Sequence, residues 1–202
     1  MSVGIVLPWR DTSRERAKAM DTVVATLKDV LPEAVLIPAD SWHQDFNRAA
    51  SRNVGVREAQ KLGCGVVVVC DADSIPEAAP LRDAIAGAPD GLLHLPYTRF
   101  VSLSPKGTAQ YLSATPWWLC HSILDWGDSV GGCWVMTPEA WFAAGGQDER
   151  FLEWGCEDTA FKVDCDNKLG ATVRHGGTLV HLYHPATREL KDPATALLAE
   201  HL

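Results

Sequence analysis

The spacing of apolar and polar positions switches between strand-like and helix-like periods over the first seventy residues. Val3–Leu7 is a short apolar run ended by Pro8, which predicts a strand. Thr12-Ser13-Arg14-Glu15 has the form of a capping box, and Met20, Val23, Val24, Leu27, Val30 and Leu31 follow at helical spacing until Pro32 stops the helix. Ala34–Ile37 predicts a second strand, stopped by Pro38 and leading to Asp40. Phe46 to Leu62 predicts a second helix, with Gly63 as its C-terminal stop. Val66–Cys70 is an unbroken β-branched run, the mark of a central strand covered on both faces.

Strand, helix, strand, helix, strand in this order predicts an α/β protein with a mostly parallel central sheet flanked by helices. Ligands of such sheets bind beyond the carboxyl ends of the strands. Three of those ends carry polar residues: Trp9-Arg10-Asp11, Asp40, and Asp71-Ala72-Asp73. Residues 92–130 are interrupted by Pro96, Pro105, Gly107 and Pro116, and predict irregular structure with a mobile loop over the site. Order returns with a strand at Gly131–Met136, a helix opened by Thr137-Pro138-Glu139 and stopped at Gly145-Gly146, and a helix from Glu157-Asp158 to Gly170. Thr178–Leu182 predicts a last strand, and Asp192-Pro193 opens a terminal helix.

A chain of 202 residues, 47% hydrophobic, suits one domain with a real core and excludes disordered and collagen-like classes. No apolar run is long enough for a membrane span, and the N-terminus lacks the basic start of a signal peptide, so a soluble, cytoplasmic protein with no membrane partner is expected. The net charge of −8 is uneven: residues 1–61 hold nine Lys/Arg against eight Asp/Glu, residues 62–202 nine against eighteen. That balance argues against a nucleic-acid partner and makes the first third the better place for an anionic ligand. Cys64, Cys70, Cys120, Cys133, Cys156 and Cys165 show no C-x-x-C pair, and are expected as reduced, mostly buried thiols. Eight tryptophans are many for this length, and serve either as core or as flat faces for sugars and bases.

Four clusters could carry chemistry. Asp71 and Asp73, two residues apart beyond the central strand, can face a divalent cation and a diphosphate. A second D-x-D, Asp164-Cys165-Asp166, falls inside a predicted helix where the two side chains diverge, and is set aside. Arg48 and Arg52 lie four apart on one helix face, either solvated or aimed at a nucleotide. Glu157-Asp158 opens a helix just after Trp154-Gly155; it is either ordinary capping or a carboxylate beside an aromatic platform, as deprotonation of a sugar hydroxyl requires. His181 and His184 stand at the end of the last strand, and with a D-x-D they suit Mn²⁺ better than Mg²⁺.

Taken in order, Pro8-Trp9-Arg10, Asn47-Arg48…Arg52-Asn53, Asp71-Ala72-Asp73, Gly131-Gly132, Gly145-Gly146…Trp154-Gly155-Cys156-Glu157-Asp158 and His181-Leu182-Tyr183-His184 resemble the GT-A fold nucleotide-sugar glycosyltransferases. The likeness is to the inverting family 2 type and, over residues 131–160, to the β1,4-galactosyltransferase and chondroitin-polymerase type. It implies one GT-A domain over 1–202, with a nucleotide-sugar half at 1–100 and an acceptor and catalytic-base half at 101–202. Residue by residue it implies that Pro8, Arg10, Asp40, Arg48, Arg52 and Asp71 line the pocket of a nucleotide sugar, most often a UDP-sugar. Asp73 would bind Mn²⁺ or Mg²⁺, with Asp71 reaching the ribose or the metal and His181 as the further metal ligand, His184 being the substitute. Asp158 would be the catalytic base, Glu157 would orient the sugars, and Trp154, Gly132 and Trp134 would meet the acceptor, a glycan, protein or other hydroxyl. Related galactosyltransferases carry a longer acidic run where this chain has Thr159, which leaves donor and acceptor specificity open. Two rivals stand beside this reading. A sugar-nucleotidyltransferase would need a Gly-rich loop that Leu7–Thr12 lacks, and a noncatalytic nucleotide- or sugar-binding module would bind donor without turning it over.

Overall fold

The structure, a computed structural model, describes residues 1–127, 129–152, 155–185 and 192–202. Strand β1 (Val3–Pro8) leads to helix α1 (Arg14–Val30), then β2 (Val35–Ala39), α2 (Arg48–Lys61) and β3 (Val66–Cys70), the alternation the apolar pattern predicts. The cap of α1 is Ser13, whose side chain accepts from the Arg16 N–H, one residue later than the predicted box. A short β4 (Ser74–Pro76) and α3 (Ala78–Gly87) follow, then β5 (His94–Leu95), β6 (Arg99–Leu103), α4 (Pro105–Leu112) and β7 (Ser122–Trp126). The chain ends with β8 (Cys133–Met136), α5 (Pro138–Ala143), α6 (Glu157–Lys168), β9 (Val173–Arg174), β10 (Thr178–His181) and α7 (Asp192–Leu198).

Six strands form the main sheet in the order β2-β1-β3-β8-β5-β9. β1 pairs parallel with β2 and β3, β9 pairs parallel with β5, and only β8 runs against its neighbours. All five residues of β3 are buried, as a strand covered on both faces must be. Helix α2 lies very close to this sheet: a Cβ on Gly55 would stand 2.3 Å from Val6 Cγ1 and 2.9 Å from Ala39 Cβ. The missing side chain therefore lets the middle of α2 pack directly on β1 and β2.

The expectation of irregular structure over 92–130 is overturned. That stretch supplies β5 to the main sheet and β6 and β7 to a second, four-stranded sheet of order β4-β10-β6-β7. Proline misled there because Pro105 is the first residue of α4, capped by Ser104, and Pro96 falls between strands. One continuous core joins both sheets, with Trp134, Trp141, Tyr97 and Phe161 its largest fully buried aromatic side chains. The cysteines are free, four buried and two half-buried, as expected. Among the described residues no helix is long and apolar enough to cross a membrane.

Candidate active site

The strand ends converge as parallel topology requires. Arg10, just past β1, donates from Nε and Nη2 to both oxygens of Asp40, just past β2, at 2.7 Å each, and donates again to the carbonyls of His43 and Gln44. Its guanidinium carbon lies 5.6 Å from the centre of the Phe46 ring. Pro8 is buried at the end of β1 beside them. Arg10 holds the Asp40 carboxyl below the usual carboxylate range, so the pair is ionised and preformed.

Asp73 lies just beyond β3, and β10 delivers His181 opposite Ser74 of β4. His181 Nε2 is 3.6 Å from Asp73 Oδ1 and His184 Nε2 is 3.3 Å from Asp73 Oδ2. One ligand atom from each of Asp73, His181 and His184 falls within 4.8 Å of the other two, a spacing that one cation can bridge. Burial alone would raise the Asp73 carboxyl, but His181, His184 and Arg16 hold it well below its ordinary value. Burial pushes His181 down, toward the neutral imidazole that a metal needs. Hard oxygen plus imidazole nitrogen fits Mn²⁺. Both histidines join Asp73, and Asp71 does not: its Oδ1 accepts from Arg52 Nη2 at 2.6 Å. Arg16, from the first turn of α1, reaches His184 Nδ1 at 3.1 Å and adds a cation that the sequence pattern did not single out.

Asp158 sits in the first turn of α6, after Gly155 and Cys156, which both have positive φ, 109° and 68°. A helix N-terminus would favour the carboxylate, but burial, then the charge of Glu157, wins and pushes Asp158 up to about 7 against the pull of Arg52. Gly131 faces it so closely that a Cβ there would stand 2.2 Å from Asp158 Oδ2. Gly132 has φ 95° and lies against Leu179 and Ser74, lining the floor rather than offering a side chain. Glu157 pairs with Arg48 at 3.1 Å and accepts from the Gly155 N–H at 3.2 Å.

Two residues expected on ligand surfaces are placed elsewhere. Arg52 and Trp134 are each 0% exposed, and the Arg52 guanidinium lies 4.3 Å over the Trp134 ring. Neither offers surface to a nucleotide or an acceptor, because α2 presses them into the core under Asp158. Trp154 lies outside the described residues. The set-aside pair behaves as a helical pair should: Asp164 turns to His201 and Asp166 to Thr172.

Other site residues were given no role by the sequence pattern. Asn53 uses all four of its hydrogen bonds, donating to the Gln147 carbonyl and Glu149 Oε1 and accepting from Trp141 Nε1 and the Gln147 N–H, and so anchors the segment that leads to α6. Its signal was a polar residue at a core position of α2. In the second sheet Ser102 pairs with His181 and Leu124, and Phe100 pairs with Leu179 and Trp126. Directly paired residues share a face. Trp126 and Leu124, 54% and 44% exposed, therefore stand on the same face as His181.

The order of these elements and strands defines the class. No protein-family model matches the chain. It is similar to a Drosophila β1,4-galactosyltransferase 7 mutant solved in complex with manganese, UDP-Gal and xylobiose, at TM-score 0.65 and 17% identity over 98% of this chain and 79% of that one. A similar likeness, at TM-score 0.55 and 12% identity, covers 98% of this chain and 47% of GalNAc-T7 solved with UDP, GalNAc and Mn²⁺. The chain thus has the GT-A glycosyltransferase fold. In sequence it is 24% identical over 197 residues to the xylosylprotein 4-beta-galactosyltransferase of Caenorhabditis elegans, a match over 94% of this chain. The chain spans 61% of that curated relative's length.

Proposed function

We propose that this protein is a metal-dependent, inverting glycosyltransferase that moves a sugar from a UDP-sugar to a sugar hydroxyl, with Asp158 as general base. The observation that carries the proposal is the nearness of two groups along one strand end. At the end of β3 a cation-spaced triad, Asp73, His181 and His184, stands two residues along the chain from Asp71, and from Asp71 the contacts run through Arg52 to a carboxylate whose proton affinity lies near neutrality.

In this reading Arg10, Asp40 and Phe46 receive the uridine at the ends of β1 and β2. Asp73, His181 and His184 would hold Mn²⁺, which when bound supplies positive charge against the diphosphate. Arg16 adds fixed positive charge on the same side, where negative charge grows as the bond between the sugar carbon and the diphosphate oxygen breaks. An acceptor hydroxyl is too weak an acid to attack unaided. Asp158 takes its proton as its oxygen bonds to the anomeric carbon, on the face opposite the departing diphosphate. A base with an affinity near 7 is about half ionised at neutral pH and basic enough to accept that proton. Trp126, Leu124 and Phe100 offer an apolar platform on the His181 face for the acceptor ring. The substrates of the similar proteins support a UDP-galactose-type donor and a β-xyloside as the first pair to try.

The test is release of UDP from a panel of UDP-sugars by the purified protein, with xylobiose or a simple β-xyloside, in Mn²⁺ or in EDTA. The proposal expects metal-dependent release that the acceptor accelerates and that Asp73→Ala abolishes. Absence of any metal-dependent binding of a UDP-sugar by calorimetry would overturn it.

A further inference from the structure

We infer that Arg52 is a positioning residue for the base and not a nucleotide ligand: its guanidinium is a buried splint that joins Asp158 to Asp71 and aims one chosen oxygen of Asp158 at the acceptor. The inference rests on the role proposed above for Asp158.

Arg52 has no exposed surface, yet its fork reaches three separate segments. Nη1 donates to Asp158 Oδ1 and to Gln147 Oε1, each at 2.9 Å, and Nη2 donates to Asp71 Oδ1 at 2.6 Å. Glu157 Oε1 stands 3.8 Å from the same Nη1. The plane of the guanidinium is set from below by the Trp134 ring at 4.3 Å. A planar fork seated on an aromatic ring can hold two carboxylates in one fixed relation, which a flexible ammonium cannot. Its consequence is at the other oxygen. Among the described residues Asp158 Oδ1 is taken by Arg52, while Oδ2 accepts no hydrogen bond and points into the space left by the missing Gly131 side chain. Oδ2 is therefore the oxygen free to accept a proton. Asp71 is drawn to the same guanidinium and away from the cation triad, so the first aspartate of the D-x-D serves the base instead of the metal.

The charged groups that face Asp158 are Glu157 on its own helix, Arg48 and Arg52 from α2, and Asp71 from the end of β3; Tyr97 stands behind Gly131, donating to its carbonyl. Arg52 is the cation bonded directly to it.

Arg52→Lys and Arg52→Met test the splint. Binding of UDP with Mn²⁺ is measured by calorimetry, and kcat and donor KM by UDP release. The Asp158 ionisation midpoint is read from carboxyl ¹³C NMR, its signal assigned by loss in Asp158→Asn. Arg52→Lys should keep UDP affinity and donor KM within about threefold and lose about tenfold or more in kcat, the cost of a mis-aimed base. Arg52→Met, which removes the cation, should raise the midpoint of Asp158. If the methionine variant does not fold, the split between kcat and KM in the lysine variant decides the matter. A tenfold loss of UDP affinity with unchanged kcat would make Arg52 a nucleotide ligand and overturn the inference, as would a folded lysine variant with unchanged kcat. Should the wild-type protein turn over no UDP-sugar at all, the transferase reading falls, and the NMR midpoint, which needs no turnover, still confirms or refutes the splint.

Discussion

Gly131 should not tolerate even one methyl group, although its backbone would. Its φ is not among the positive values of the chain, so alanine introduces no backbone strain. The added carbon would instead lie 2.2 Å from Asp158 Oδ2 and 3.0 Å from Asp158 Cγ. Heavy atoms at rest stand roughly 3.5 Å apart, so something must retreat by about 1 Å. The backbone is the stiffer side, because the Gly131 carbonyl accepts from the buried Tyr97 hydroxyl at 2.5 Å and Gly132 is held against Leu179. The carboxylate therefore moves and its bond to Arg52 lengthens. A displacement of about 1 Å at a reacting group costs about a hundredfold in rate, or about 2.7 kcal/mol of transition-state stabilisation. Gly131→Ala should thus lose about a hundredfold in kcat while binding UDP and Mn²⁺ as the wild type does and melting within a few degrees of it. Gly127→Ala is the control, since a Cβ there meets nothing within 4 Å. Steady-state UDP release at saturating donor, calorimetry and thermal unfolding are the three assays. A folded Gly131→Ala protein with wild-type kcat would refute both the base at Asp158 and the direction of its free oxygen.

Other outcomes follow from the same geometry. Glu157→Gln removes a negative charge whose oxygen shares Arg52 Nη1 with Asp158, at 3.8 and 2.9 Å, so the two oxygens are no more than about 6.7 Å apart. At an effective dielectric of about 20 that repulsion is roughly 2.5 kcal/mol. Its loss should move the acid limb of the pH–rate profile down from about 7 by about one to two pH units, and an unmoved limb would contradict the charge coupling. Asp73→Ala and His181→Ala should each weaken Mn²⁺-dependent UDP binding by at least about tenfold, read by calorimetry with and without EDTA. Trp126→Ala should raise the acceptor KM by about tenfold and leave UDP affinity alone; an effect on UDP instead would remove the acceptor platform from that face. Gly55→Ala should destabilise the fold by about 1–3 kcal/mol in denaturant melts, because the Val6 and Ala39 side chains cannot both withdraw.

The periodicity of the chain determined β1, α1, β2, α2 and β3, and with them the parallel sheet and the strand ends that carry Arg10, Asp40 and Asp73. Those residues were legible because each follows directly on an apolar run whose direction in a parallel sheet is forced. His181 and His184 were legible for the same reason at the end of β10. The pairing of the second sheet was not, since β6 and β7 are joined across eighteen or more intervening positions and β7 is an edge strand exposed along its whole length. Nor could spacing alone separate Arg48 from Arg52. On a helix four residues apart they share a face, yet the close approach permitted by Gly55 buries one completely under Asp158 and leaves the other at the rim beside Glu157. Local sequence states which groups can ionise, whereas the packing of α2, β8 and α6 around them decides which carboxylate keeps its charge, which gains affinity for a proton, and which arginine has no water left to answer to.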